Sequence, residues 1–333
     1  MITRRSLAKT TAAAPIVGAG FFAAFQPAAF AQNGEPVVVG SKDFTEQLIL
    51  GHMYLQLLED AGIPAEERLN LGGTQIAHEA LVNGEISLYP EYTGTALSEV
   101  LQIPLEEVQA SAVSSMASPM AGAESATPAA SSDLSQAVYE LVKTEYEDQF
   151  GLTWLERSPA NNTQALAVKR AFSEETGITT ISQLAENASE YTISAPADFP
   201  EREDGLLGLV RVYGENFSEM EVLPVTPGLK YQALLDDEAE VVLAFGTDGQ
   251  ISGYDLVVLE DDLGLWPPYN VAPVVRSEVL EAYPEIAERF NAVTTTLTDD
   301  VLSSLNWMVD GDEKMEPADV AVQYLTENGF IEE

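Results

Sequence analysis

Apolar residues recur along this chain in two rhythms, short unbroken runs and helical spacings, and the two alternate. Val37-Val38-Val39 is a β-branched run closed by Gly40; from Thr45 to Ala61 the residues Leu48, Ile49, Met53, Leu57 and Leu58 fall at helical spacing before Gly62 and Pro64 end it. The pattern predicts a strand and then a helix. A second unit follows, with a strand over 68–71, a turn at Gly72-Gly73, Thr74 as N-cap and a helix through Leu81 that stops at Gly84. Residues 86–89 supply a third strand. Strands alternating with helices imply parallel pairing and right-handed crossovers, so this half is expected to be a doubly wound sheet.

The alternation resumes further on. Strands are expected over 165–168, 191–195, 221–225 and 240–245, and helices over 181–188, 206–213 and 229–235. After strands at 255–259 and 271–275 the rest reads as helix, over 278–290, 299–308 and 318–327. A terminal helical block without strands of its own is expected to pack on the first unit. The fold class is therefore α/β, with a doubly wound sheet in each of two lobes and a cleft between them. Residues 36–158 form the first part of lobe I, 159–246 form lobe II, and 247–333 return to lobe I, so the chain crosses near 158 and 246. Between 106 and 133 the chain runs through Ala, Ser, Pro and Met with scarcely a large apolar residue, which reads as a disordered surface insertion. Helical periodicity resumes at Leu134.

Three segments each follow an apolar run directly: Ser41-Lys42-Asp43-Phe44-Thr45-Glu46-Gln47, Leu71-Gly72-Gly73-Thr74 and Tyr89-Pro90-Glu91-Tyr92-Thr93-Gly94-Thr95. In an open α/β sheet, ligands bind beyond the carboxyl ends of the strands, where loops and helix N-termini present free N–H groups and hydroxyls. The three loops are expected to converge there on a small-molecule site.

Composition changes the picture in two ways. Residues 1–31 read as an export signal: Arg4-Arg5 precedes an Ala-rich apolar stretch, and Ala29-Phe30-Ala31 offers a small-x-small cleavage site, similar to a twin-arginine signal. An uncleaved anchor is the alternative, but Pro15, Gly18, Gly20 and Pro27 make a poor span. Without any cysteine there is no disulfide and no thiol for a lipid, so a protein free in the periplasm or outside the cell, and not a lipoprotein, is expected. The chain carries 54 acidic residues against 15 basic; loss of Arg4, Arg5 and Lys9 leaves 12, a net charge of −42. That excludes a nucleic-acid footprint, which needs clustered basic charge. Runs such as Asp236-Asp237-Glu238 and Glu260-Asp261-Asp262 lack the spaced ligands and glycine of a calcium loop and read as a solvated acidic face suited to high ionic strength. No metal or cofactor is expected. His52 and His78 fall within helices and read as structural or surface residues. The chain has no Gly-x-Ser-x-Gly elbow and no His-Glu-x-x-His, so an enzyme is not expected, a carboxylate-only hydrolase being the alternative.

Five ordered motifs carry a resemblance: Gly40 through Gln47, Tyr89 through Thr95, Asn161 through Ala167, Phe245 through Gly249 and Pro267 through Val275. From about Val37 to the C-terminus, interrupted only by the Ala/Ser insertion, the chain resembles the osmoprotectant-binding proteins of ABC importers, the glycine betaine, choline and carnitine receptors. The resemblance implies a two-lobed periplasmic binding protein, a monomer, that closes over a compatible solute and delivers it to a membrane permease. A quaternary ammonium has no N–H to donate and is held by aromatic faces, at about 0.5–2 kcal/mol per ring. By the family's pattern the cage wall maps onto Tyr92, Gln164, Tyr231 and Phe245, with Lys42, Thr95 and Arg202 as polar or cationic contacts and Asn162 where some members carry an acidic residue. Gln164 has no π face and Phe245 no hydroxyl, which leaves a different polar solute as the alternative ligand.

Overall fold

A computed structural model describes residues 35–105, 107–109, 128–197, 199–202, 205–225 and 229–332. The export signal expected over 1–31, and the middle of the insertion at 110–127, lie outside the described residues.

Among the described residues, ten strands form two five-stranded sheets. The first is ordered β2-β1-β3-β10-β4, from β1 (Val37–Gly40), β2 (Ala65–Arg68), β3 (Leu88–Tyr92), β4 (Leu152–Trp154) and β10 (Val271–Arg276). The second is ordered β7-β6-β8-β5-β9, from β5 (Gln164–Lys169), β6 (Thr192–Ala195), β7 (Glu221–Pro224), β8 (Val241–Phe245) and β9 (Leu256–Val258). β1 pairs parallel with β2 and β3, as the alternation of strands and helices requires. β10 is antiparallel to both its neighbours, as is β5, so each sheet is mixed. These strands enter from the other lobe, without the crossover helix that enforces parallel pairing.

Each sheet is buried on both faces. Successive side chains of a strand point to opposite faces. Accordingly Val37 and Val39 join one core with the helix α1 (Thr45–Asp60), and Val38 packs into a second core that includes residues of α2 (Thr74–Val82) and of the helix Pro128–Phe150. The first of these cores also takes Phe290, Leu302, Leu305, Val320 and Leu325, so the terminal helical block packs on α1 and the first sheet, as its lack of strands suggested. The second sheet has its own pair of cores, one around Phe199, Leu209 and Phe217 and one around Tyr231 and Leu234.

Three differences from the sequence reading have physical causes. The helix expected over 278–290 is two, Ser277–Ala282 and Glu285–Thr294, because Pro284 lacks the N–H that would continue the ladder. The helix expected from Leu134 begins at Pro128, inside the segment expected to be disordered; proline suits a first helical turn. Past the crossing expected at 246 the helix Gly249–Gly253 does pack against Asp299–Asp310, but the chain then returns: β9 pairs with β5, and Leu259 and Trp266 are buried in a core of the second sheet, so the last passage to the first sheet falls at 267–270.

Candidate functional site

The loop after β1 turns sharply into α1. Ser41 accepts the Asn70 N–H on its hydroxyl (2.9 Å) and the Leu71 N–H on its carbonyl (3.0 Å), which ties the first loop to the second. Gln47 accepts the Lys42 N–H at 3.0 Å and donates to the Pro90 carbonyl at 2.8 Å, which ties the first loop to the third. The three loops do converge. Their centre is an ion pair, Lys42 Nζ to Glu91 Oε1 at 2.6 Å, with side chains 5% and 0% exposed. Lys42 also donates to Thr74 Oγ1 (3.2 Å), and Glu91 accepts from the Tyr89 hydroxyl (2.8 Å) and the Tyr92 N–H (2.6 Å). A buried charge without such partners would be expensive, and here the partners come from all three loops. Lys42 therefore enters the site already neutralised.

Tyr92 ends β3 with its ring between Lys42, whose Nζ lies 5.2 Å from the centroid, and Phe44, stacked at 6.1 Å and 27°. Its hydroxyl donates to Glu46 Oε1 at 2.6 Å. Glu46 is fully buried in α1 and gathers distant donors: Asn162 Nδ2 on Oε1 (3.2 Å), and Thr247 Oγ1 (2.5 Å) and Asn306 Nδ2 (2.9 Å) on Oε2. Burial pushes the Glu46 carboxyl above its ordinary range and nearby Asp248 adds to this, while the hydrogen bonds from Thr247, Tyr92 and Asn306 pull it back. Burial likewise holds the Tyr92 phenol well above its ordinary value, with the Glu46 carboxylate adding to it.

The crossings between the sheets pack around this carboxylate. Asn162 N–H donates to the Tyr269 carbonyl (3.1 Å), Gly246 N–H to the Thr163 carbonyl (2.9 Å), and Asn270 Nδ2 to the Ala160 carbonyl (2.8 Å). A Cβ on Gly246 would lie 2.2 Å from the Asn161 carbonyl oxygen, which is why a side chain does not fit there.

On the second sheet, Gln164 and Phe245 stand opposite each other in the β5/β8 ladder. Phe245 is 42% exposed, although it ends an apolar run. Tyr231, on the helix Lys230–Leu235, is buried and donates its hydroxyl to Asp248 Oδ2; burial and the Asp248 charge push its phenol far up. The same carboxylate oxygen accepts the Phe245 N–H and the Lys230 ammonium, both at 3.0 Å. Lys230 Nζ lies 4.9 Å from the Tyr231 centroid and 5.2 Å from that of Phe245.

The structure thus gathers Lys42, Tyr92 and Asn162 around Glu91 and Glu46, and Tyr231 and Phe245 around Asp248, with Gln164 beside Phe245 in the ladder and Thr247 and Asp248 joining the groups. Thr95 is half-buried in the short helical turn Thr93–Thr95, and Arg202 is exposed beside the turn Phe199–Glu201. Sequence reasoning missed Phe44, Glu46, Lys230, Asp248 and Asn306. Phe44, Glu46 and Asp248 lie in motifs it singled out and Lys230 adjoins Tyr231; Asn306, inside the terminal helical block, carries no local signal. A cavity of about 360 Å³ lies beside the crossings between Gln164, Trp266, Asp299 and Ser303, and no cage ring lines it. Among the described residues, no group of His, Cys, Asp and Glu is placed to hold a metal ion, and no helix is long and apolar enough to cross a membrane.

Two mixed α/β lobes joined by extended crossings, with aromatic rings and paired charges on both sides, define the class of two-lobed solute-binding proteins. The chain belongs to the family of substrate-binding domains of ABC-type glycine betaine transport systems, whose model matches residues 35–327. Members of that family are the solute-capturing components of importers. The chain is 31% identical to the glycine betaine-binding protein YehZ of Escherichia coli, over 90% of this chain and 92% of that one. The apo structure of YehZ superimposes with a TM-score of 0.71, covering 89% of this chain and 99% of that chain. It is also 31% identical, over 89% of its length, to the ergothioneine transport permease/ergothioneine-binding protein EgtU of Helicobacter pylori, of which it spans about half, 48%. A crystal structure titled as a glycine betaine/carnitine/choline ABC transporter is similar at a TM-score of 0.75 and 27% identity, covering 89% of this chain and 100% of that one.

Proposed function

We propose that this protein captures a zwitterionic quaternary-ammonium solute of the glycine betaine class outside the cytoplasm, as an exported, lipid-free monomer that catalyses no reaction and binds no nucleic acid, and hands it to an ABC permease. The observation that carries the reading is the set of three rings, Tyr92, Tyr231 and Phe245, that flank the crossings, each with an ammonium within about 5 Å of its face. These faces are built to attract cations. Ligand contacts from both lobes are completed when the lobes meet, so capture is coupled to closure about the crossings.

A second reading, a more polar solute, is supported by Gln164: an amide opposite Phe245 presents donors and an acceptor where a fourth ring would complete a cage. The ergothioneine-binding relative suggests one such solute. A thermal-shift screen with glycine betaine, proline betaine, choline, carnitine, ectoine and ergothioneine tests both. A ligand that binds only the folded state at 100 times its Kd adds about 2.7 kcal/mol. Stabilisation by glycine betaine, proline betaine or carnitine supports the first reading; stabilisation only by ectoine, or only by ergothioneine, a betaine that adds a polar thioimidazole ring, supports the second; turnover of any of them would sink both.

A further inference from the structure

Two of the rings already face a cation that belongs to the protein. Lys230 is only 8% exposed, and its ammonium is shared between the faces of Tyr231 and Phe245. Asp248 fixes it through Oδ2, the oxygen that also accepts the Tyr231 hydroxyl and the Phe245 N–H, so one carboxylate positions both rings and the charge between them. The Lys230 carbonyl is itself held by the buried Ser194 hydroxyl at 2.9 Å. An ammonium arriving at these rings meets a like charge, whereas a carboxylate meets a partner. Like-charge juxtaposition in a partly desolvated site is a strong discriminator between ligands.

We propose that Lys230, held by Asp248, is the specificity-determining residue of this site, selecting solutes that carry a carboxylate beside their quaternary ammonium over cations that lack one. The inference rests on the betaine-type reading above. Its signature is a pair of opposed effects. Removing Lys230 leaves the Asp248 carboxylate uncompensated beside the rings, which favours a bare cation. Neutralising Asp248 leaves Lys230 uncompensated, which favours a carboxylate.

The test is calorimetry with glycine betaine and choline on the wild type, Lys230→Met and Asp248→Asn, at about 0.1 M salt, where the Debye length of about 10 Å leaves short-range charge effects intact. Methionine keeps the length of the lysine stem, and the thermal midpoint of each variant reports its folding. The quantity read is the Kd for choline divided by that for glycine betaine. It should exceed one in the wild type, fall by about tenfold or more in Lys230→Met and rise in Asp248→Asn. If Lys230→Met does not fold, Lys230→Gln replaces it. A ratio unchanged across folded variants that still bind overturns the inference and leaves the betaine reading standing. A wild type that binds neither ligand overturns both.

Discussion

The two walls of the cleft use the same ingredients, a tyrosine, a lysine and a carboxylate, and arrange them differently. On the first sheet the Lys42–Glu91 pair is closed at 2.6 Å with side chains 5% and 0% exposed, and Glu91 has two further donors. On the second sheet the Lys230–Asp248 pair spans 3.0 Å with side chains 10% and 25% exposed, beside a Phe245 ring that is 42% exposed. The first wall is structural, its charges fixed before any ligand arrives. The second is more accessible through Phe245 and Asp248, although the Lys230 side chain is itself mostly buried. A fully buried pair is costly to break, and the cost falls as solvent reaches one of the partners.

The strongest way to break this comparison is to remove one partner from each wall. Glu91→Ala strands a buried lysine and is expected to cost about 3–5 kcal/mol in denaturant unfolding. Lys230→Met, whose partner Asp248 is partly exposed and keeps its Tyr231 and Phe245 donors, is expected to cost less, about 1–3 kcal/mol. Similar losses would show that the walls do not differ in the way their burial implies.

Next in size is the joint between the walls. Gly246→Ala places a methyl group 2.2 Å from the Asn161 carbonyl, and backbone must move to admit it, at a cost of about 1–3 kcal/mol. Gly73→Ala, where nothing lies within 4 Å, is the control and should stay within about 0.5 kcal/mol.

Glu46 sharpens the comparison through pH. Its carboxyl is raised above the ordinary 4.5 in the folded state, so the folded protein holds this proton more tightly than the unfolded chain. Its contribution is fully present below pH 4.5 and is lost as pH rises through the folded value. The stability advantage of the wild type over Glu46→Gln should therefore be largest near pH 4 and shrink towards pH 7, about 1.4 kcal/mol for each unit by which the folded value is raised. A difference that grows with pH would mean that the four donors outweigh burial.

The smallest effects concern the rings. Gln164→Tyr should tighten glycine betaine binding and Tyr92→Ala should weaken it, each by about 0.5–2 kcal/mol in calorimetry. No effect of Gln164→Tyr on a folded protein would favour a ligand that uses the amide.

Most elements were legible because their signals are local. Leu206–Tyr213 is a helix over the expected residues, and Val37–Gly40 is a strand because β-branched side chains suit a pleated, buried surface. The strand Leu152–Trp154 was missed, being three residues long beside a long helix and fixed by its pairing with β10. At the site, Tyr92 stood out as an aromatic residue in a recognisable motif, whereas Tyr231, on a helix with Leu234 and Leu235, was placed only by the family's pattern. Lys42 was read as a cationic contact to the ligand, and only the fold shows its charge held by Glu91, 49 residues away.

The sequence by itself determined the two α/β units, the loops that meet at the strand ends and the family to which the chain belongs, because periodicity, turn residues and motifs act over a few neighbouring positions. Only the tertiary structure decided which charges neutralise one another. Glu46 draws its donors from 46, 116, 201 and 260 residues away, and nothing in the local chain marks a carboxylate as the meeting point of such segments. Burial and pairing are set by what the fold brings within about 3 Å, and they separate the lysine that ties the three loops together from the one that faces the rings of Tyr231 and Phe245.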